Sequence, residues 1–317
     1  MGNKKFILFL ISIVISTTDL VYSQDPQFTQ FYANPLYLNP AFAGTARCAR
    51  ITFNYRNQWP NLSGTYVTYS AGYDQHFDAL AGGVGILVLT DDQAKGTLKT
   101  VSASGIYSYH LPVNRHFSLK MGLQATYFQK QLDKTKLHFG DMIDPRRGFV
   151  WNTMEAVPNQ NKSNLDFAAG ILGYSKNYFI GFAAHHLTQP DEGLLGVAKL
   201  PMKFTGHAGA IINLEKGGGS YISPNVLFQA QQKFQQLNLG LYYVNDVFVA
   251  GLWYRNSDAV IALIGLQNKN FKFGYSYDVT ISKLASNTAG SHELSLQIQF
   301  ECKPKKKKYR TISCPSF

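Results

Sequence analysis

The chain has 317 residues, 14% of them aromatic and 15% charged, with a formal net charge of +11. That length holds one large β domain or two smaller ones, so core size sets no limit. Residues 303–310 (KPKKKKYR) supply six of the positive charges and leave the body nearly balanced, and the spacing of Cys48, Cys302 and Cys314 excludes a tetrahedral zinc site.

Residues 1–23 read as a secretory signal. Lys4 and Lys5 precede an apolar run from Phe6 to Ile15, and a polar stretch ends at Val21-Tyr22-Ser23, with a cut expected before Gln24. The apolar run is too short to span a bilayer, and no cysteine follows the cut to carry a lipid. No later window is apolar for the length of a spanning helix, so the exported chain is either soluble or a membrane β-barrel. Residues 24–47 lack sustained alternation and repeat the steps Asn34-Pro35 and Asn39-Pro40. Proline removes a ladder donor and biases its predecessor away from helix, so this segment is expected to be an extended, turn-rich periplasmic arm or a plug inside the body.

From Cys48 onward the alternation scarcely stops. Ile51, Phe53 and Tyr55 alternate with Thr52, Asn54 and Arg56; at the far end Leu294, Leu296, Ile298 and Phe300 alternate with Glu293, Ser295, Gln297 and Gln299. About 14 such segments occur over 48–302, an even number as in bacterial single-chain barrels. Their connections segregate by parity: the even-numbered ones are compact, and the odd-numbered ones include the long segments 130–164, 187–202 and 280–291. Outer-membrane barrels show this division between short periplasmic turns and longer outside loops, whereas a soluble sandwich has no reason for it. Tyr55, Tyr73, Tyr107, Tyr109, Tyr127, Tyr243, Trp253 and Tyr277 are expected in interfacial girdles, around a wet lumen of Ser, Thr, Gln, Asn and Gly. Leu87, Leu89 and Ile106 fall on the inward face, where a plug or a slip in register has to cover them. The expected fold is an all-β antiparallel transmembrane barrel with an N-terminal arm and a basic tail over 303–317.

Several stretches resemble the PorP/SprF family of outer-membrane proteins associated with the type IX secretion system and bacterial gliding. They are Asp25-Pro26-Gln27-Phe28 with Gln30, the steps Asn34-Pro35 and Asn39-Pro40-Ala41-Phe42-Ala43-Gly44, and Tyr55-Arg56-Asn57-Gln58-Trp59-Pro60. Thr68-Tyr69-Ser70-Ala71 and the closing Cys314-Pro315-Ser316-Phe317 continue the likeness; the middle of the chain matches only as strand pattern. The resemblance implies a non-enzymatic protein of the outer membrane, without cofactor. It would help export and surface-attach large adhesin-like proteins through their type IX secretion domain, with periplasmic ring or peptidoglycan-associated proteins as partners. The competing reading is a passive porin or small-solute channel.

Cys48 stands just before the first strand and Cys302 just after the last, so a closed barrel makes them neighbours at one rim. A seam bond Cys48–Cys302 is expected, against the alternatives Cys48–Cys314 and Cys302–Cys314. Lys303, Lys305, Lys306, Lys307, Lys308 and Arg310 are candidate contacts for an acidic protein or lipid surface. Asp141, Asp144, Arg146 and Arg147 lack the spacing of a calcium loop and read as a mutually paired loop or a partner contact. His185-His186 ends a strand, but no Gly-x-Ser-x-Gly elbow accompanies it, so hydrolase chemistry ranks last. Asp74, Asp166 and Asp278 are expected inside with Arg56, Lys120 and Lys272.

Overall fold

A computed structural model of the chain describes residues 25–62, 64–155, 160–194, 196–214, 219–281, 288–302 and 314. The expected signal and the basic tail apart from Cys314, including Lys303, Lys305, Lys306, Lys307, Lys308, Arg310, Pro315 and Phe317, lie outside the described residues.

Fourteen strands form one closed antiparallel barrel. They are β1 (Arg50–Gln58), β2 (Tyr66–Phe77), β3 (Gly82–Gln93), β4 (Leu98–Pro112), β5 (Phe117–Leu132), β6 (Asn161–Ser175) and β7 (Tyr178–His185), then β8 (Lys203–Ala210, extended by Ile212–Asn213) and β9 (Ser220–Gln231). β10 (Phe234–Asn245), β11 (Phe248–Arg255), β12 (Ala259–Gln267), β13 (Phe271–Thr280) and β14 (Ser291–Gln299) complete the wall. Each strand pairs with its chain neighbours, and β1 closes the seam with β14 from Arg50↔Gln299 to Gln58↔Ser291. Closure leaves no unpaired edge, the condition a sheet must meet inside hydrocarbon. The connections at the mouth where β1 begins and β14 ends, here the turn mouth, are all short; segments 133–160 and 186–202 lie at the opposite, loop mouth, together with the short turns 94–97, 232–233 and 256–258. The first of these loops carries a small hairpin, Ile143–Asp144 against Gly148–Phe149.

Strand period sorts the side chains. Phe53, Ile86, Leu123, Phe167, Ile180, Leu252 and Ile264 point outward and are exposed, as a lipid-facing band requires. Tyr73, Tyr107, Tyr109 and Tyr243 stand outward toward the turn mouth, and Tyr69, Tyr127 and Tyr254 toward the loop mouth. Trp253 departs from the girdle expected of it: it is buried inside, with ring centroids 5.4 Å from Phe31 and 5.6 Å from Tyr242. In this quarter the inward positions Tyr242, Val244, Trp253, Ile261 and Leu263 are themselves apolar. Both faces of β11, β12 and the second half of β10 therefore read alike in sequence, and alternation there could not give the phase.

The lumen is filled, and this corrects the wet interior. Residues 25–47 run inside the barrel as a chain of short turns, Phe31–Ala33, the single helical turn α1 (Pro35–Leu38) and Pro40–Phe42. Phe28, Phe31, Tyr32, Leu36, Leu38 and Phe42 are all buried there. Burying each such side chain contributes about 1.5–3 kcal/mol relative to exposure. Leu36 and Ala43 pack on Leu87 and Ile106, which supplies the cover those inward apolar residues needed.

Cys48 and Cys302 are bonded across the seam, 254 residues apart in sequence, while Cys314 is a free, buried thiol packed in the lumen core. Changing Cys48 to Ser is expected to cost the folded barrel about 2–5 kcal/mol. The check is the thermal midpoint of the detergent-purified protein, which should fall to the value of the reduced wild type and respond no further to reductant.

Candidate functional site

The arm is held by three polar joints at successive depths in the lumen, and these are the built site of the molecule. The Asn-Pro steps show how sequence makes it possible. Pro35 and Pro40 each open a helical turn, where a missing N–H is no loss. The preceding asparagines then turn their amides to the wall: Asn34 Nδ2 donates to Ser70 Oγ at 3.0 Å, and Asn39 Nδ2 donates to the carbonyls of Ile171 (3.2 Å) and Phe182 (3.1 Å). Asn39 Oδ1 meanwhile accepts from Ala41 N at 2.9 Å.

The upper joint lies at the loop mouth. Asp25 Oδ2 faces His186 Nε2 at 2.8 Å and Lys203 Nζ at 3.3 Å, while His186 Nδ1 faces Asp166 Oδ2 at 2.7 Å. Burial alone would raise the Asp25 carboxyl, but His186 and Lys203 hold it well below the ordinary carboxylate range. Burial alone would lower the His186 imidazole, and Asp25 with Asp166 instead pushes it up to about 10. Both ring nitrogens therefore face carboxylates, which leaves neither to activate a nucleophile.

The sign of the linkage follows from those directions. A raised imidazole contributes stability that is complete below its ordinary value of 6.5 and is lost as pH rises through about 10. The depressed Asp25 carboxyl contributes stability present above its ordinary value of 3.8 and lost as pH falls. The thermal midpoint of the purified barrel is thus expected to fall progressively between about pH 6.5 and about pH 10, and a His186→Gln variant, less stable at pH 7, to lack that part of the fall.

The middle joint is a buried cluster. Arg56 Nη2 bonds Asp278 at 3.0 Å, Arg56 Nη1 bonds Glu293 at 3.2 Å and also the Thr29 hydroxyl, and Arg255 Nη1 reaches Asp278 at 3.3 Å. Into it the arm inserts backbone: Thr29 N and Gln30 N donate to the Glu293 carboxylate at 2.6 and 3.0 Å. The lower joint lies at the turn mouth. Arg50 and Asp74 pair at 2.8 Å, Gly44 N donates to Asp74 at 2.7 Å, and Lys120 Nζ and Ser108 Oγ donate to the Ala43 carbonyl.

Glycines mark where the arm touches the wall. A Cβ on Gly122 would lie 2.3 Å from Ala41 N, and one on Gly83 would lie 2.2 Å from the Ala43 carbonyl oxygen, both backbone atoms that cannot yield. Between the arm and strands β3–β8 a cavity of about 120 Å³ remains toward the loop mouth, bordered by Asp25, Tyr37, Asp91, Lys203 and the Lys130–Glu192 pair (2.7 Å).

Most sequence-predicted residues fall into place around these joints. Asp74, Asp166, Asp278, Arg56 and Lys120 are inside, each in the contacts above, and Lys272 lines a smaller cavity near the turn mouth. Asp141 and Asp144 do not pair with Arg146 or Arg147 among the described residues. Asp141 accepts from Thr153 Oγ1 (3.0 Å) and Met154 N (2.7 Å), and Asp144 accepts from the backbone of Arg146 (2.8 Å) and Arg147 (2.9 Å). The acids shape the loop, and the arginines stay exposed on its tip. Asp25, Arg50, Arg255 and Glu293 went unread as arm anchors, although inward glycines such as Gly83 and Gly122 signalled a close approach of backbone.

Comparison with known proteins supports this architecture. The toluene transporter TbuX of Ralstonia pickettii is similar, with a TM-score of 0.50 at 11% identity over 84% of this chain and 93% of that one. The toluene transporter TodX of P. putida gives 0.49 at 10% identity, with the same shares of 84% and 93%, and Omp33 of Acinetobacter baumannii gives 0.44 at 10%, over 80% and 100%. At such identity the likeness to TbuX concerns fold alone, that of an outer-membrane β-barrel. No curated protein sequence matches the chain. The sequence profile of the type IX secretion system membrane protein family PorP/SprF matches residues 20–298, which take in the arm, its joints and all but the last residue of the wall, so the chain belongs to the PorP/SprF family of type IX secretion system membrane proteins.

Proposed function

We propose that this protein is a docking subunit of the type IX secretion and gliding apparatus that helps export large adhesin-like proteins and attach them to the cell surface. One observation carries the reading: the lumen is packed with the protein's own arm, held at three depths. A filled barrel works through its two mouths, by binding and positioning, and the same filling counts against the passive porin reading. The turn mouth faces the periplasm after signal cleavage near Ser23-Gln24, and the basic run 303–310, between bonded Cys302 and buried Cys314, meets periplasmic ring or peptidoglycan-associated partners. The loop mouth, with segments 133–160 and 186–202, holds the exported protein or its secretion domain. Arg146 and Arg147 on the first loop offer it cationic contacts.

The test is deletion of the gene with mass spectrometry of the surface proteome. Large surface proteins bearing type IX secretion domains are expected to be depleted from the surface, and restored by wild type but not by a chain lacking 134–158. An unchanged surface proteome in the deletion strain sinks the reading.

A further inference from the structure

The course of the arm through the barrel has a definite direction. Its first described residue, Asp25, meets His186 and Lys203 beside the 186–202 loop, and Asp25 N lies 3.5 Å from Oε1 of Gln231, the last residue of β9 at the loop mouth. Thr29 and Gln30 lie one level lower, on Glu293 near the start of β14 and Asp278 near the end of β13. Asn34 reaches Ser70 in the middle of β2, and Ala41 sits on Gly122 in the lower part of β5. Ala43 and Gly44 then meet Lys120, Asp74 and Gly83 near the turn mouth. Finally Arg47 O accepts from His76 N at 3.2 Å, and Cys48 is bonded to Cys302 below the last strand. The net course is from the loop mouth to the turn mouth, with one return at Tyr37, whose hydroxyl donates to the Pro26 carbonyl and whose ring lies under Lys203 Nζ at 5.0 Å.

Fourteen strands bring the wall back to the mouth from which it started. The arm adds one more traverse. An odd number of traverses puts Asp25 and Cys302 at opposite mouths, although a signal peptide is removed on the periplasmic side. We propose that the mature amino terminus is delivered through the barrel to the outer face of the membrane, and that Asp25, with its His186 and Lys203 partners, fixes it there as part of the surface that meets the exported protein. Cys302 stays on the periplasmic side. The proposal rests on the orientation given above, with the long loops outside.

The experiment places one short epitope at three positions of the full chain: between Gln24 and Asp25, after Pro145 in the first long loop, and after Phe317. Antibody binding is read on intact and on permeabilised cells. The proposal expects the first two epitopes to be labelled on intact cells and the third only after permeabilisation. If the loop epitope is bound on intact cells while the amino-terminal one needs permeabilisation, the proposal is overturned and the orientation stands. If the loop epitope itself needs permeabilisation, the orientation fails, and the proposal falls with it. Should the inserted epitope prevent folding, Pro26→Cys replaces it, with Arg115→Cys in a turn at the other mouth as reference, using a membrane-impermeant maleimide. Labelling at Pro26→Cys and not at Arg115→Cys on intact cells is expected, and the reverse pattern overturns the proposal.

Discussion

Removing residues 25–47 while keeping the signal and Cys48 is expected to turn a sealed barrel into an ion-conducting one. The intact protein should give no steady current in a planar bilayer, and the shortened chain a stable one. The physical reason is the size of what leaves: six large buried side chains, and the backbone that crosses Gly122 and Gly83. A single-residue version makes the same point without truncation. In Gly122→Leu the new side chain meets Ala41 N, which cannot give way, so the arm is expected to leave the lower lumen and current to appear. Each variant also loses the burial of arm residues at about 1.5–3 kcal/mol apiece, which a lowered thermal midpoint would register. A deletion variant as silent as wild type would mean that the arm is not the seal.

The second large effect belongs to Arg56. Its guanidinium joins Asp278 on β13 to Glu293 on β14 and also holds Thr29 of the arm, in a position without solvent. Arg56→Ala leaves the buried Glu293 without a cation and Asp278 with Arg255 alone, and is expected to cost about 3–5 kcal/mol. Lysine should rescue little, because a single ammonium cannot span both acids with the planar fork that Nη1 and Nη2 provide. Adding Glu293→Gln to Arg56→Ala should recover part of the loss, since it removes the stranded charge. Denaturant midpoints of the four proteins in a double-mutant cycle measure this coupling. Strictly additive costs would show that the cluster is not a unit.

Much of the wall was legible in sequence because membrane barrels write it twice. Side chains alternate with period two, and the long loops fall on one strand parity only, so 14 segments and their polarity could be read without any contact. Leu87, Leu89 and Ile106 even announced a cover inside the lumen, and Leu36 and Ala43 are that cover for Leu87 and Ile106, while Leu89 borders the cavity toward the loop mouth. Two things were not legible. Trp253 looked like a girdle residue because its stretch is apolar on both faces, one against lipid and one against Phe31 and Tyr32. The partners within each joint were hidden by distance along the chain: Thr29 and Glu293 stand 264 residues apart, and only closure of the seam brings them together. Arg56 was visible as a motif residue and as an inward charge, but its role in clasping the arm needed the fold.

The Cys48–Cys302 bond has a mechanical side as well. Thirteen of the fourteen strand pairs are continued by a connecting segment, and the seam β1–β14 alone is joined only by hydrogen bonds and side chains. A hoop pulled apart by forces on its loops would split along that line, as a barrel splits at its one unriveted stave. The disulfide stands at the rim where such a split would open on the turn side. Arg56 with Glu293 is the matching rivet near the other rim, so tension on the surface loops is carried around the whole circumference instead of collecting at one crack.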